Sequence, residues 1–356
     1  MNWLLAFVPV AIALEYLAPE RYLLVFAASA IAILPLVAWM SRATEQLAER
    51  SGEGVGGLLN ATFGNAAELI IAFAALRAGL FDVVKASIAG SIVGNILLVL
   101  GAAMLAGGLR RPEQFFNAQG ARSQATMLTL AAIALMLPAA YRAGLGDEGP
   151  VALGSLSVAI SIVLLVVYAL YLIFTLRTHS AMFMGSHTAD EGDEHVVPWT
   201  TQRALLVLAA VTALIAWLSE ILVGTLEPTA HEFGLSNIFM GVFVVAILGN
   251  AAEHATAITA AMKDRTDLAL SIAIGSSIQV ALFVAPVLVL ASLFFGPEPM
   301  DLAFAPGLVL IILLAVLITG QVAGDGRSDW LKGLQLMAVY LVMALTFFFM
   351  PGSVAH

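Results

Sequence analysis

The sequence predicts an all-α integral membrane protein of eleven transmembrane helices, one N-terminal span followed by two inverted-topology repeats of five. Three observations lead there. Of the 356 residues, 61% are hydrophobic and only 11% charged, where a soluble domain carries about a quarter, and the mean hydropathy is +0.98. Apolar runs of the roughly 17–25 residues needed to cross the hydrocarbon core recur along the whole chain. Finally, the pentapeptide GNAAE occurs twice, at Gly64–Glu68 and Gly249–Glu253, each time among Ala, Ile, Leu and Val.

Taken in order, the spans are 3–18, 22–40, 55–78, 84–108, 122–141, 151–176, 203–226, 236–262, 267–295, 302–323 and 330–350. The first is short. The opening "MNWLLAFVPVAIALEYLAPE" has no basic leader and no small-residue cleavage site, so it is expected to be a retained span rather than a signal peptide. The connections are brief except for 177–202, whose "HSAMFMGSHTADEGDEHVVP" is polar, acidic and broken by Gly and Pro. That composition marks a linker between two halves. The expected organisation is an N-terminal extra span (1–20), a first repeat (21–176), an acidic linker (177–202) and a second repeat (203–356).

Orientation follows from Lys and Arg. Arg42, Arg50, Arg110, Arg111, Arg122, Arg177, Arg203, Lys263, Arg265, Arg327 and Lys332 fall on the N-terminal side of the membrane; Arg21, Arg77, Lys85 and Arg142 fall opposite. Eleven against four places the N-terminus and the linker in the cytoplasm by the positive-inside rule, with the C-terminus outside. The short tails suit a prokaryotic plasma membrane. At an offset of 185, residues 64–95 and 249–280 agree at ten of 32 positions, including Gly64/Gly249, Asn65/Asn250, Glu68/Glu253, Asp82/Asp267, Gly90/Gly275 and Ser91/Ser276. That offset lays the second span on the seventh and the sixth on the eleventh. Five being odd, the copies enter from opposite sides, a common plan of secondary transporters with a binding site at the midplane.

The motif carries the chemistry. On a helix, Asn60, Gly64 and Glu68 share one face and Asn65 precedes Glu68 by three residues; Asn250 and Glu253 repeat the arrangement. An ionised acid at the bilayer centre costs ~2.5–3.5 kcal/mol on insertion scales, and all fifteen Lys and Arg sit at or near span ends. The countercharge is therefore expected from outside. Two carboxylates with amide and hydroxyl oxygens form a hard-cation site of the kind Ca²⁺ accepts. Two protons cancel the same charge, and removal from water penalises the charged carboxylate, so cation and protons compete for one pair of acids. Asn65 and Asn250 are expected as supporting ligands, with interhelical glue as the plainer role. Ser91, Asn95, Ser276, Ser277 and Gln279 are candidates for the cation pathway. His254, beside Glu253 where the first repeat has Leu69, and Glu220 in "WLSEILVG" are candidates for proton coupling alongside the two glutamates.

GNAAEL with "AGSIVGN", and GNAAEHA with "KDRTDLALSIAIGSSIQVALFVAP", resemble the paired motifs of the calcium (cation)/proton exchanger family, part of the calcium/cation antiporter superfamily. The resemblance covers essentially the whole chain. It implies export of Ca²⁺ against protons, Glu68 and Glu253 as central ligands, Asn65 and Asn250 in support, and a proton-coupling role at His254. Sodium-coupled relatives carry Ser/Thr-Pro-Glu where this chain has Asn-Ala-Ala-Glu. The acidic run "DEGDEH" is shorter than in many members.

Other classes fit less well. The chain has no cysteine, which excludes disulfides, thiolate metal sites and cysteine nucleophiles. No basic patch suggests nucleic acid, and no HExxH-type spacing supports an intramembrane metalloprotease. A cation channel would use few spans per subunit around a shared pore. No cofactor is expected beyond the transported Ca²⁺ and H⁺, and the partners are those ions and the lipid bilayer. A sodium-coupled exchanger, an antiporter of Mn²⁺ or Cd²⁺, and a homo-oligomer all remain compatible with the sequence.

Overall fold

A computed structural model describes residues 2–145, 150–180 and 199–350. These residues are helical apart from connecting turns and one short β pair. α1 (Asn2–Leu17), α2 (Tyr22–Phe63), α3 (Ala66–Arg77), α4 (Phe81–Gly108), α5 (Ala118–Leu145) and α6 (Pro150–Ile173) form the first half. α7 (Thr201–Glu232), α8 (Asn237–Met262), α9 (Thr266–Phe295), α10 (Pro306–Gly324) and α11 (Trp330–Phe348) form the second. Thr200, Ser236 and Asp329 begin α7, α8 and α11 as N-caps, each accepting a backbone N–H with its side chain, which satisfies donors the first helical turn leaves over.

Nine segments among the described residues are long and apolar enough to cross a membrane. Two expected spans differ from that pattern. α1 is shorter, and the span at 55–78 is divided at Gly64–Asn65, where ψ of Asn65 rises to 22° and the helical path breaks. α2 is also more than a straight rod. Eight residues along a straight helix rise about 12 Å, yet a Cβ on Gly56 would lie 2.5 Å from the carbonyl oxygen of Ala48. The chain therefore doubles back between those residues within one helical stretch.

α4 and α9 occupy the centre and are the most buried spans. α4 lies against α8, α10 and α11, while α9 lies against α5, α6 and α8, and α2 pairs with α7. Each half's central helix is thus seated on helices of the other half. Both carry a π-helical turn past their polar residues, Gly94–Val99 in α4 and Val280–Val284 in α9, a local widening often found at functional sites. α6 and α11 show Val163, Leu170, Leu341 and Val342 outward, as apolar helices facing lipid do. A β pair, Gln114–Phe115 against Arg327–Ser328, ties the α4–α5 connection to the α10–α11 connection.

Most of the acidic linker, residues 181–198, lies outside the described residues. On its C-terminal flank Trp199 is buried: its backbone N–H donates to Gln46 Oε1 at 2.7 Å, and its ring lies 4.7 Å from the Arg203 guanidinium and 5.5 Å from that of Arg42.

Candidate cation site

The two GNAAE motifs cross in the middle of the bundle, and their glycines make the crossing tight. A Cβ on Gly249 would lie 3.1 Å from Glu68 Cβ, and one on Gly64 would lie 3.3 Å from Glu253 Oε1. The glycine of each copy therefore clears space for the glutamate of the other. Only a residue without a side chain lets two helices approach this closely.

Hydrogen bonds cross in the same reciprocal way. Asn250 Nδ2 donates to Ser91 Oγ at 3.0 Å, to Glu68 Oε2 at 3.4 Å and to its own helix at Ala246 O, 2.9 Å. Ser276 Oγ lies 2.5 Å from Glu253 Oε2 and 2.9 Å from Asn65 Oδ1. A hydroxyl has one proton and cannot give it to two acceptors. The trio is satisfied when the Glu253 carboxyl carries a proton, or when the Asn65 amide presents its nitrogen. Glu68 (2% exposed), Asn65 and Asn250 (1% each) are fully buried. Glu68 Oε1 and Asn250 Oδ1 are buried acceptors without a protein donor, an arrangement that suits a cation better than a packed apolar core.

Glu253 is reached by a cavity of about 760 Å³. Its walls include Glu45, Asn60, Gly64, Gln124, Thr256, Ser271, Gly275, Ser276 and Gln279, with no Lys or Arg among the described residues that line it. Ser41, Thr175 and Ser180 also line it, so it opens on the side of the basic loops at Arg42, Arg50, Arg122 and Arg177. The other side is sealed by glycines. A Cβ on Gly241 of α8 would lie 2.6 Å from Ala86 Cβ and 2.8 Å from Val83 O of α4, and one on Gly90 would collide with the Val242 backbone. Gly275, the counterpart of Gly90, has nothing within 4 Å of its Cβ position.

Not every expected residue joins this cluster. Ser276 and Gln279 line the cavity, whereas Ser91 belongs to the sealed end. Ser277 is fully buried, its Oγ 3.0 Å from Ala273 O and 3.3 Å from Ile92 O, which places it between α9 and α4 rather than on the cavity wall. His254 Nε2 lies 3.2 Å from Asn95 Oδ1 in hydrogen-bond contact, so its ring turns to α4 and not to the neighbouring Glu253. Glu220 stands apart: its carboxylate pairs with Arg77 Nη1 at 2.7 Å, both side chains more than half exposed. Lys85 is buried but engaged elsewhere, 2.6 Å from Asp301 Oδ1 and 3.1 Å from Ala303 O. Among the described residues no three His, Cys, Asp or Glu gather as a metal cluster; the site rests on two acids and neutral oxygens. Glu45, Gln124 and Ser271 were not singled out by the sequence. Gln124 and Ser271, polar groups inside apolar spans, were the available signal, while Glu45 reads as an ordinary charge near a helix end.

A bundle of membrane-spanning helices with one sealed acid and a second acid lining a cavity fits a secondary transporter, and known proteins agree. The model of the sodium/calcium exchanger protein family matches the chain twice, over residues 21–177 and 203–349. The Ca(2+)/H(+) antiporter of Aphanothece halophytica is 46% identical across 98% of this chain and 96% of its own. The Ca(2+)/H(+) antiporter ChaA of Bacillus subtilis is 43% identical across 91% of each. The solved structure of native YfkE superposes with a TM-score of 0.83 at 40% identity, covering 97% of this chain and 98% of that one. The chain belongs to the sodium/calcium exchanger protein family and, within it, to the calcium (cation)/proton exchangers; it is a transporter and not an enzyme.

Proposed function

We propose that this protein exchanges Ca²⁺ for protons by alternating access, with Glu68 and Glu253 forming one midplane site. The observation that carries this reading is the reciprocal crossing of the two motifs, which brings both acids and both amides to one place around unpartnered oxygens. Two carboxylates neutralise one divalent cation or bind two protons, so each cargo displaces the other. Asn65 and Asn250 supply neutral oxygens. Ser276 and Gln279 line the approach to Glu253 from the cavity, and Ser91 holds Asn250 at the far end. The relatives named as Ca(2+)/H(+) antiporters support the choice of cargo.

The proposed topology is eleven spans: residues 1–20, two inverted repeats of five (21–176 and 203–356) and a cytoplasmic linker (177–202). The N-terminus lies in the cytoplasm, the C-terminus outside, and the host is a prokaryotic plasma membrane. In that frame the cavity faces the cytoplasm, from which Ca²⁺ binds before release on the other side. Moving a divalent ion out of a cell that is negative inside costs ~4.6 kcal/mol per 100 mV, at ~2.3 per charge, so returning more than two protons drives export.

The test is radiolabelled Ca²⁺ uptake into inside-out proteoliposomes with an acidic interior. Uptake is expected to collapse with a protonophore, to ignore sodium and to vanish in Glu68→Gln and in Glu253→Gln. Sodium-driven uptake, or activity in both variants, would overturn the reading.

A further inference from the structure

The two ends of the site are built unequally, and two buried hydroxyls, one of them at the seal, find no hydrogen-bond partner among the described residues. Ser87 of α4 (1% exposed) and Thr229 of α7 (3% exposed) are buried, and neither Ser87 Oγ nor Thr229 Oγ1 has a hydrogen-bond partner. Several buried helical hydroxyls in this bundle donate to the carbonyl four residues back, as Ser219 does to Ile215, Thr225 to Ile221 and Thr319 to Ala315. That is the usual resort of a serine or threonine inside a helix. Ser87 and Thr229 forgo it.

The repeat says where they belong. At the offset of 185 that aligns the GNAAE motifs, Thr229 corresponds to Thr44 and Ser87 to Ile272. Both Thr44 and Ile272 line the open cavity that leads to Glu253. Ser87 also lies directly at the seal, its backbone nitrogen 3.2 Å from the position a Cβ would take on Gly241. Glu253 and Ser276 keep their counterparts in Glu68 and Ser91, but Glu45, Asn60 and Ser271 have no such echo and correspond to Ala230, Val245 and Ala86.

We propose that Ser87 and Thr229 line the outer path, meeting the cation and its water when the α4–α8 seal opens. This rests on the alternating-access reading above. With apolar Ala230 and Val245 at the positions corresponding to Glu45 and Asn60, these two hydroxyls give the outer path polar contacts that pass a cation without holding it. The path is built for release.

The chain's lack of cysteine makes the test direct. Ser87→Cys and Thr229→Cys are made singly and treated with a membrane-impermeant thiol reagent from the outer side of sealed vesicles, at rest and during Ca²⁺/H⁺ turnover. Ser271→Cys serves as the inner-cavity variant. Ser29→Cys serves as the control, because Ser29 is equally buried and unpartnered but its counterpart Leu214 does not line the cavity. Both test cysteines are expected to react from outside, faster during turnover, while Ser271→Cys reacts from inside and Ser29→Cys from neither. Either position alone suffices if the other variant fails to fold. Test cysteines as inert as Ser29→Cys in actively exchanging vesicles would overturn the proposal and leave alternating access standing. Outer labelling in a protein that moves no Ca²⁺ against a pH gradient would support the path and count against the exchange reading.

Discussion

The two copies of GNAAE are identical in sequence and different in structure. In the first, Asn65 breaks the helix between α2 and α3; in the second, Asn250 continues α8 without interruption. Glu68 is sealed behind Ser91, Asn250 and the α4–α8 contact, while Glu253 faces a cavity of about 760 Å³. The same asymmetry separates Gly90, pressed onto the Val242 backbone, from Gly275, which touches nothing. One pentapeptide thus occupies two environments because the helices around it are packed on one side and parted on the other. The difference is what the proposed alternating access expects of one of its two states: had the site been purely structural, packing would be expected to treat both copies alike.

The comparison can be broken at the acids themselves. Removing either carboxyl leaves a divalent cation half compensated in a buried site, so Glu68→Gln and Glu253→Gln have the largest expected effect, loss of exchange with the fold intact by circular dichroism. Next come the amides. Asn65→Ala and Asn250→Ala each remove a neutral oxygen and a positioning contact, and Ca²⁺ affinity is expected to fall about 10–100-fold, the scale seen when groups orienting a metal ligand are lost. Because both act on one site, the losses should match despite the different exposure of the two ends.

The glycine pair sharpens the contrast between open and sealed. Gly90→Ala places a methyl against the Val242 backbone and is expected to cost about 1–3 kcal/mol of stability in this state, read as a lower melting temperature. Gly275→Ala meets open space here, so melting should be unchanged. Its methyl would obstruct closure of the cavity, and exchange should slow nonetheless. Equal melting temperatures for the two variants would deny the asymmetry.

Two ion pairs give the smaller effects. Lys85→Met strands Asp301 at a partly buried pair, and a loss of about 1–3 kcal/mol is expected, below the range for fully buried pairs. Glu220→Gln breaks a pair whose side chains are more than half exposed. Stability should change by less than about 1 kcal/mol, and the pH profile of exchange should not move; a shifted profile would return Glu220 to the proton path.

Much of this site was legible in the sequence because buried acids in an apolar chain demand an explanation, and a duplicated motif supplies two witnesses. Glu68, Glu253, Asn65, Asn250 and Ser276 fall together as their spacing suggested. Glu220 drew attention as an acid inside an apolar span, and its pairing with Arg77, 143 residues away, could not be read from the sequence. Ser277 and Ser276 are neighbours in sequence but point to different surfaces, a distinction that waits on which helices surround α9. The doubling back of α2 near Gly56 and the break at Asn65 were also hidden, since an identical pentapeptide forms a continuous helix in the second half. Local sequence cannot decide between them; tertiary packing does.

The central claim is that the repeated motif makes a single site from two halves. Equilibrium binding of radiolabelled Ca²⁺ to purified protein, compared with Glu68→Gln and Glu253→Gln, tests it most directly. The account predicts one motif-dependent Ca²⁺ per chain, lost in both variants. Motif-dependent binding that survives in either variant, or two ions lost independently, would mean that the two copies of GNAAE are separate sites.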